Sequence, residues 1–413
     1  MFPRTRRRVR PIAFAHPAIA HSARILLAMS SAAPSIYDEL TQAMQSGGVD
    51  QALERLAAHF KSAHQYHDLF DVRLMQARRK AGQPIIWTKT MEDLPEPART
   101  AVEDASLEAC REVGHGLLSV GRVREAWMYL RPTGDKAAVA RELEKLVQED
   151  ESLSEDVIDI ALNEGVAPRL GFQLMLQNYG LCNCVTTFDS SMHQRPKADR
   201  VAVVGLLVDH IHDELLTNVR DDIARQQGTK PAEATLAKLV REREWLFEND
   251  NYHTDATHLQ SIVRFAIVLD DPALLRKAID LCEYGRHLSQ SYQFPGRSPF
   301  TDVYVDHARY FRAALGENVE EALAYFKAEA EAALDDQDKG PIEVYLSLLA
   351  RTGRTAEAMD ETARLLPAGK RQSDLAPSLQ ELAQLSGDYA RLAKLSRDRG
   401  DLLAFAAALT SSL

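Results

Sequence analysis

The spacing of apolar residues constrains this chain more than any other feature. Leucines and alanines recur at i, i+3, i+4 and i+7 almost from end to end, which places them on one face of a 3.6-residue helix, and alternating stretches are few. The pattern predicts an all-helical protein. Only 83–90 and 181–188 carry residue types suited to short extended structure, and neither demands a sheet. Helix starts have the usual chemistry: Asp135, Ser154, Asp271-Pro272 and Ser298-Pro299 each place a capping side chain or a proline where a first turn would begin. Gly82, Gly165, Gly228 and Gly340 read as stops.

A chain of 413 residues can hold two or three domains or one extended array. Its formal charge is -11, and because six arginines and no acid lie in the first 28 residues, the remainder carries -17. An acidic body repels phosphate backbones, so neither DNA nor RNA is expected as a main partner. No run reaches the roughly 18 apolar residues of a membrane span; the nearest, Val201 to Val208, is ended by Asp209. Four cysteines (Cys110, Cys182, Cys184, Cys282) are too few for a disulfide framework and suit a reducing, cytoplasmic setting. Residues 1–34 read as a disordered or spurious extension, with Met29 an alternative start to Met1; targeting is the other reading of the arginines, although prolines and histidines interrupt every apolar run.

A half-motif recurs along the chain. An apolar helix ends in a glycine turn, and about five residues later a small residue opens the inner face of a second helix: Gly47-Gly48 with Ala52, Gly121 with Ala126, Leu315-Gly316 with Ala322, Gly353 with Ala358, and Gly387 with Leu392-Ala393. The last three glycines stand 37 and 34 residues apart. Glycine permits a tight turn between antiparallel helices, and alanine lets their axes approach.

This resembles the tetratricopeptide repeat. Tyr345 to Pro367 carries Leu349, Gly353, Ala358 and Pro367 in motif order, and Arg309 to Ala330 carries Leu315, Gly316, Ala322 and Tyr325. Tryptophan is missing from its usual first-helix place, and the N-terminal units are degenerate. The resemblance covers about 35–130 and 309–413. It implies an α-solenoid of helix-turn-helix pairs, with N-terminal helical repeats over 35–169, an irregular helical segment over 170–308 that is the candidate site, and C-terminal repeats over 309–413. Such arrays leave a concave groove suited to a partner peptide or protein, and the acidic body favours a basic or neutral segment.

Polar residues crowd the middle, where the repeat is lost: seven of the 13 histidines fall between 193 and 307. Three clusters stand out. In 208–214, Asp209 and His212 share a helical face, as do His210, Asp213 and Glu214. In 251–258, Asp255 reads as an N-cap with His258 at the third helical position. In 301–307, Asp302 and Asp306 stack one turn apart beside His307. Imidazoles and carboxylates projected from facing helices are how bundles build metal centres, so His210, His253, His258, Asp302, Asp306 and His307 form the pool of ligands for a divalent iron, zinc or manganese ion that would activate a water. Capping and surface hydrogen bonding explain the same residues without a metal.

Cys182-Asn183-Cys184 has the wrong spacing for a common zinc knuckle and reads as a buried structural pair, beside a polar loop formed by 178–180 and 186–189. The Tyr292 to Phe300 stretch, with Pro295-Gly296 at its centre and aromatics on both sides, reads as a turn pinned to the body that caps a groove. Phosphate-cradling glycine motifs and the nucleophile elbow are absent from the sequence. Two functions follow as expectations: a helical-repeat adaptor that binds a partner protein or peptide in its groove, or a metal-dependent hydrolase, lyase or oxygenase with its site in the central segment.

Overall fold

A computed structural model describes residues 35–335, 337–367 and 373–411; the extension expected over 1–34 lies outside the described residues. Every regular element among the described residues is helical. None of these helices is long and apolar enough to cross a membrane. The chain divides between Gly134 and Asp135 into two compact units, so that 135–169 belong to the second.

The first unit holds α1 (Ile36–Ser62), α2 (Tyr66–Lys80), α3 (Ala98–Leu118) and α4 (Val123–Leu130). A capping box opens α1, with Ser35 Oγ accepting from the Asp38 N–H and the Asp38 carboxylate accepting from Ser35. Consecutive helices pack on one another. Leu69 and Val72 on α2, Val102, Val113 and Leu117 on α3, and Val123, Ala126 and Leu130 on α4 are all buried, which is the apolar stripe read from the sequence. Residues 83–90 form no strand; they belong to an irregular link between α2 and α3.

The second unit continues with α5 (Lys136–Glu149), α6 (Ser154–Asn163), α7 (Pro168–Ser191), α8 (Lys197–Gln227), α9 (Leu236–Val240), α10 (Ala256–Phe265), α11 (Pro272–Gly285) and α12 (Val303–Ala314). It ends with α13 (Val319–Ala332), α14 (Gly340–Arg351), α15 (Thr355–Leu365), α16 (Leu379–Ser386), α17 (Tyr389–Asp398) and α18 (Leu402–Ser411). One hydrophobic core runs from Phe172 to Ala408. The long helix α8 supplies much of it through Val204, Leu207, Val208, Ile211, Leu215 and Val219, all fully buried at helical spacing. Helices α7, α10 and α11 pack against α8, and from α11 to α18 each helix packs on the next.

Three of the recurrent glycine turns, at Gly121, Gly316 and Gly353, share one geometry. Gly353 has φ 78°, a left-handed conformation that costs an L side chain energy, and the following Arg354 N–H reaches back 2.9 Å to the Leu349 carbonyl. The same backward bond joins Arg122 to Leu117 at 3.0 Å and Glu317 to Arg312 at 2.8 Å. It satisfies carbonyls that the ending helix leaves without a partner, and it reverses the chain within a few residues. The small residues that follow, Ala126, Ala322 and Ala358, are buried where the second helix meets the first.

Three local expectations are corrected. Residues 181–188, and the polar loop placed at 178–189, are part of α7: the chain breaks helical geometry only at Gly180 and resumes the helix at once. Ser298-Pro299 does not start a helix; α12 begins at Val303, where Asp302 accepts the Val305 N–H at 3.1 Å and is the true cap. Gly340 opens α14 rather than ending a helix, because Pro341 beside it fits only a first turn. Asp271 capping α11 from before Pro272 is as read.

Candidate functional site

The six residues read as a ligand pool do not form one cluster: Asp302, Asp306 and His307 share the start of α12, while His210 lies on α8 and His258 on α10. His210 pairs along α8 with Glu214 at 3.3 Å. His258 stands at the third position of α10, its N–H received by Asp255. Asp302 is the exposed cap of α12, and the buried Asp306 accepts the Asp302 N–H at 2.9 Å and the Arg309 guanidinium at 2.6 Å. His253 and His307 are buried in different surroundings, described below. Among the described residues, no group of three or more His, Cys, Asp or Glu is placed to hold a metal ion.

The buried pair that the structure does assemble is His212 and Asp280. His212 Nε2 lies 2.9 Å from Asp280 Oδ2, with both side chains only 8% exposed. The carboxylate also accepts the Leu236 N–H at 2.6 Å and the Ala237 N–H at 2.7 Å, so it joins α8, α11 and the start of α9. The other ring nitrogen of His212 faces Asp213 Oδ1 at 3.3 Å. Asp209, read as the helical neighbour of His212, instead pairs with Lys277 of α11 at 2.9 Å. This pair forms the floor of a groove of about 630 Å³ between α9, α11 and α12. Around the groove stand Arg241, Arg276, Lys277, Glu283, Arg312 and Glu317. Glu283 is bound by Arg312, and Arg276 makes only a long contact, 3.4 Å, to the exposed Glu317. Arg241 has no ion-pair partner among the described residues; it precedes Glu242, a non-glycine residue at φ 62°.

His253 belongs to a second buried network. The Tyr284 hydroxyl accepts the His253 backbone N–H at 2.9 Å and donates to Nδ1 at 2.9 Å, which leaves Nε2–H to donate to Asp222 at 3.1 Å. Burial pushes this imidazole below its ordinary range, against the pull of the Asp222 carboxylate. The segment leading to it holds Asn249 and Asp250, both at positive φ, and the Asn251 side chain bonds back to the Leu246 carbonyl at 2.9 Å. Every polar atom of the His253 ring is engaged, so the network locks this segment to α8 and α11.

His307 differs. The residue is 2% exposed, its ring is stacked on Phe300 at 3.9 Å and 17°, and its Nδ1–H donates to the Val303 carbonyl at 2.7 Å. Burial pushes the imidazole down to about 4. It lines a cleft of about 600 Å³ under the loop that the sequence marks as a cap, together with Pro295, Gly296 and Phe300. The loop is held closed: the Gly296 N–H donates to the Thr301 carbonyl at 3.0 Å, and Ser298 Oγ donates to Glu329 at 2.6 Å.

The cysteines correct another expectation. Cys184 is buried and its thiol is pushed up to about 12 by desolvation, but Cys182 is exposed. Two residues along a helix turn the side chain by roughly 200°, so both cannot face one core.

The places of Asp222, Asp280 and Tyr284 in these buried networks were not legible in the sequence. Their partners lie 31 to 68 residues away, and no local spacing reports on such pairs. No family model, curated protein or solved structure matches this chain.

Proposed function

We propose that this chain is a helical-repeat interaction protein, an α-solenoid of tetratricopeptide-like pairs, whose groove between α9, α11 and α12 holds a segment of a partner protein. The observation that carries this reading is the division of labour in the groove. Asp280 gives its carboxylate to His212 and to two backbone N–H groups, so the floor is a fixed support. The rim, in contrast, offers Arg241 and Arg276. A rigid floor with available donors above it suits the carbonyls and carboxylates of an extended segment. Locally, then, the groove favours a neutral or acidic segment, although the body of the chain is acidic. The glycine turns and their buried alanines support the repeat architecture. The enzymatic alternative would draw on the six residues read as ligands, of which no three are placed to hold a metal ion among the described residues.

The test is photocrosslinking from a benzophenone side chain at Ile279, which lines the groove, followed by binding of the purified partner segment. Arg241→Glu with Arg276→Glu should keep the helical circular dichroism and weaken binding at least about tenfold, the equivalent of about 1.4 kcal/mol. Binding unchanged in that double variant would remove the groove from consideration.

A further inference from the structure

The cleft at His307 presents a buried group whose hydrogen-bonding capacity is half used. Because Nδ1 carries the proton given to Val303, Nε2 is a lone-pair acceptor. It has no partner among the described residues, nor is it among the buried polar atoms sealed from solvent without one, so it opens onto the cleft that the residue lines. Buried acceptors are almost always satisfied, and one left open toward a cleft calls for a donor from outside the chain.

The charges of the cleft define the rest of the ligand. Arg264 and Arg297 stand on its wall, both exposed, and neither has a carboxylate partner among the described residues. Its two carboxylates are engaged: Asp338 accepts the Gly340 N–H at 2.8 Å, and the buried Glu343 accepts Ser373 N–H at 3.1 Å. Both carboxylates keep their charge in these bonds, so the lining is balanced, and the charged donors without a carboxylate partner in it are the two guanidiniums. Phe300 supplies an apolar face, and the turn packs tightly at Gly296, where a Cβ would stand 1.9 Å from the Phe300 carbonyl oxygen.

We propose that this cleft binds a small organic anion that carries a hydroxyl or N–H group, donating that hydrogen to His307 Nε2 and placing its carboxylate or phosphate between Arg264 and Arg297. The site is separate from the groove between α9, α11 and α12 and stands or falls independently of it.

Diethyl pyrocarbonate tests both halves. At about pH 5.5 ordinary histidines are mostly protonated and inert, whereas His307 stays neutral. His253, also lowered, has both ring nitrogens engaged. The reagent's carbonyl carbon is attacked by Nε2, the new N–C bond forms, and the Nδ1 proton leaves with ethyl carbonate, which breaks down to ethanol and carbon dioxide. Peptide mass spectrometry should find His307 as the chief modified histidine. About 10 mM malate or glycerol 2-phosphate should slow its modification about fivefold, as occupancy of a millimolar site would, with chloride at equal ionic strength doing nothing. Arg264→Gln with Arg297→Gln should leave the modification intact and abolish the protection. An unmodified His307 in folded protein, protection by neither anion, or equal protection by chloride would each overturn the proposal.

Discussion

His212 and Asp280 are 68 residues apart in the chain and 2.9 Å apart in space. One carboxylate there joins a ring on α8 to the first two N–H groups of α9. Three donors depend on it: the His212 ring and the Leu236 N–H are buried, and the Ala237 N–H is half-buried.

Removing that acceptor leaves buried donors without a partner, which costs more than the pair itself contributes. Asp280→Ala is expected to lower unfolding stability by about 3 kcal/mol, read from urea denaturation at neutral pH. Asp280→Asn keeps one acceptor oxygen and should lose less. Equal stability of Asp280→Ala and wild type would mean that the carboxylate does not support α9.

Two glycines separate backbone strain from packing. At Gly353 a Cβ meets nothing within 4 Å, so Gly353→Ala pays only for φ 78°, about 1 kcal/mol. At Gly285 a Cβ would stand 2.3 Å from the ring of the buried Tyr304. Overpacking of that kind costs about 1–3 kcal/mol, so Gly285→Ala should be the more destabilising of the two in parallel thermal melts. The opposite order would contradict the close approach of α11 and α12.

Arg351 on α14 donates to the Leu269 carbonyl at 2.7 Å and to the Ile267 carbonyl at 3.0 Å. It also pairs with Asp270 and covers the Tyr310 ring. Charge-assisted bonds to otherwise open carbonyls are stronger than neutral ones. Arg351→Met should lower stability by about 2 kcal/mol and speed hydrogen exchange in 266–270, whereas a loss spread evenly over the whole unit would argue for a general packing defect.

His307 makes stability depend on pH in a defined direction. Its folded value is about 4, below the ordinary 6.5, so the unfolded chain binds the extra proton first and stability falls as pH drops from 6.5 toward 4. The full span amounts to about 3 kcal/mol. His253, lowered in the same direction, adds to the slope. His307→Gln should flatten the pH dependence of the urea midpoint between pH 7 and 5 relative to wild type; an unchanged slope would show that the imidazole is not buried neutral.

Much of the fold was legible because its signals are local. Periodicity of Val204, Leu207, Val208 and Ile211 marks the buried face of α8 wherever that face is pressed, and Gly316 and Gly353 mark turns because few other residues take that φ cheaply. Where several local rules competed, reading failed: Ser298-Pro299 has start chemistry, but the cap is Asp302, and Gly180 breaks α7 without ending it.

The site residues divide along the same line. Asp255 capping α10 and His210 facing Glu214 are contacts within one helical turn, so spacing alone places them. Local spacing therefore marked most of the helices and the faces they bury. Only tertiary structure decided that His212 meets Asp280, that His253 sits between Asp222 and Tyr284, and that His307 opens onto a cleft while the ligand pool does not form one cluster. A 3.6-residue period specifies which side chains share a helix face. Which two faces meet is settled by long-range packing, and no local spacing records it.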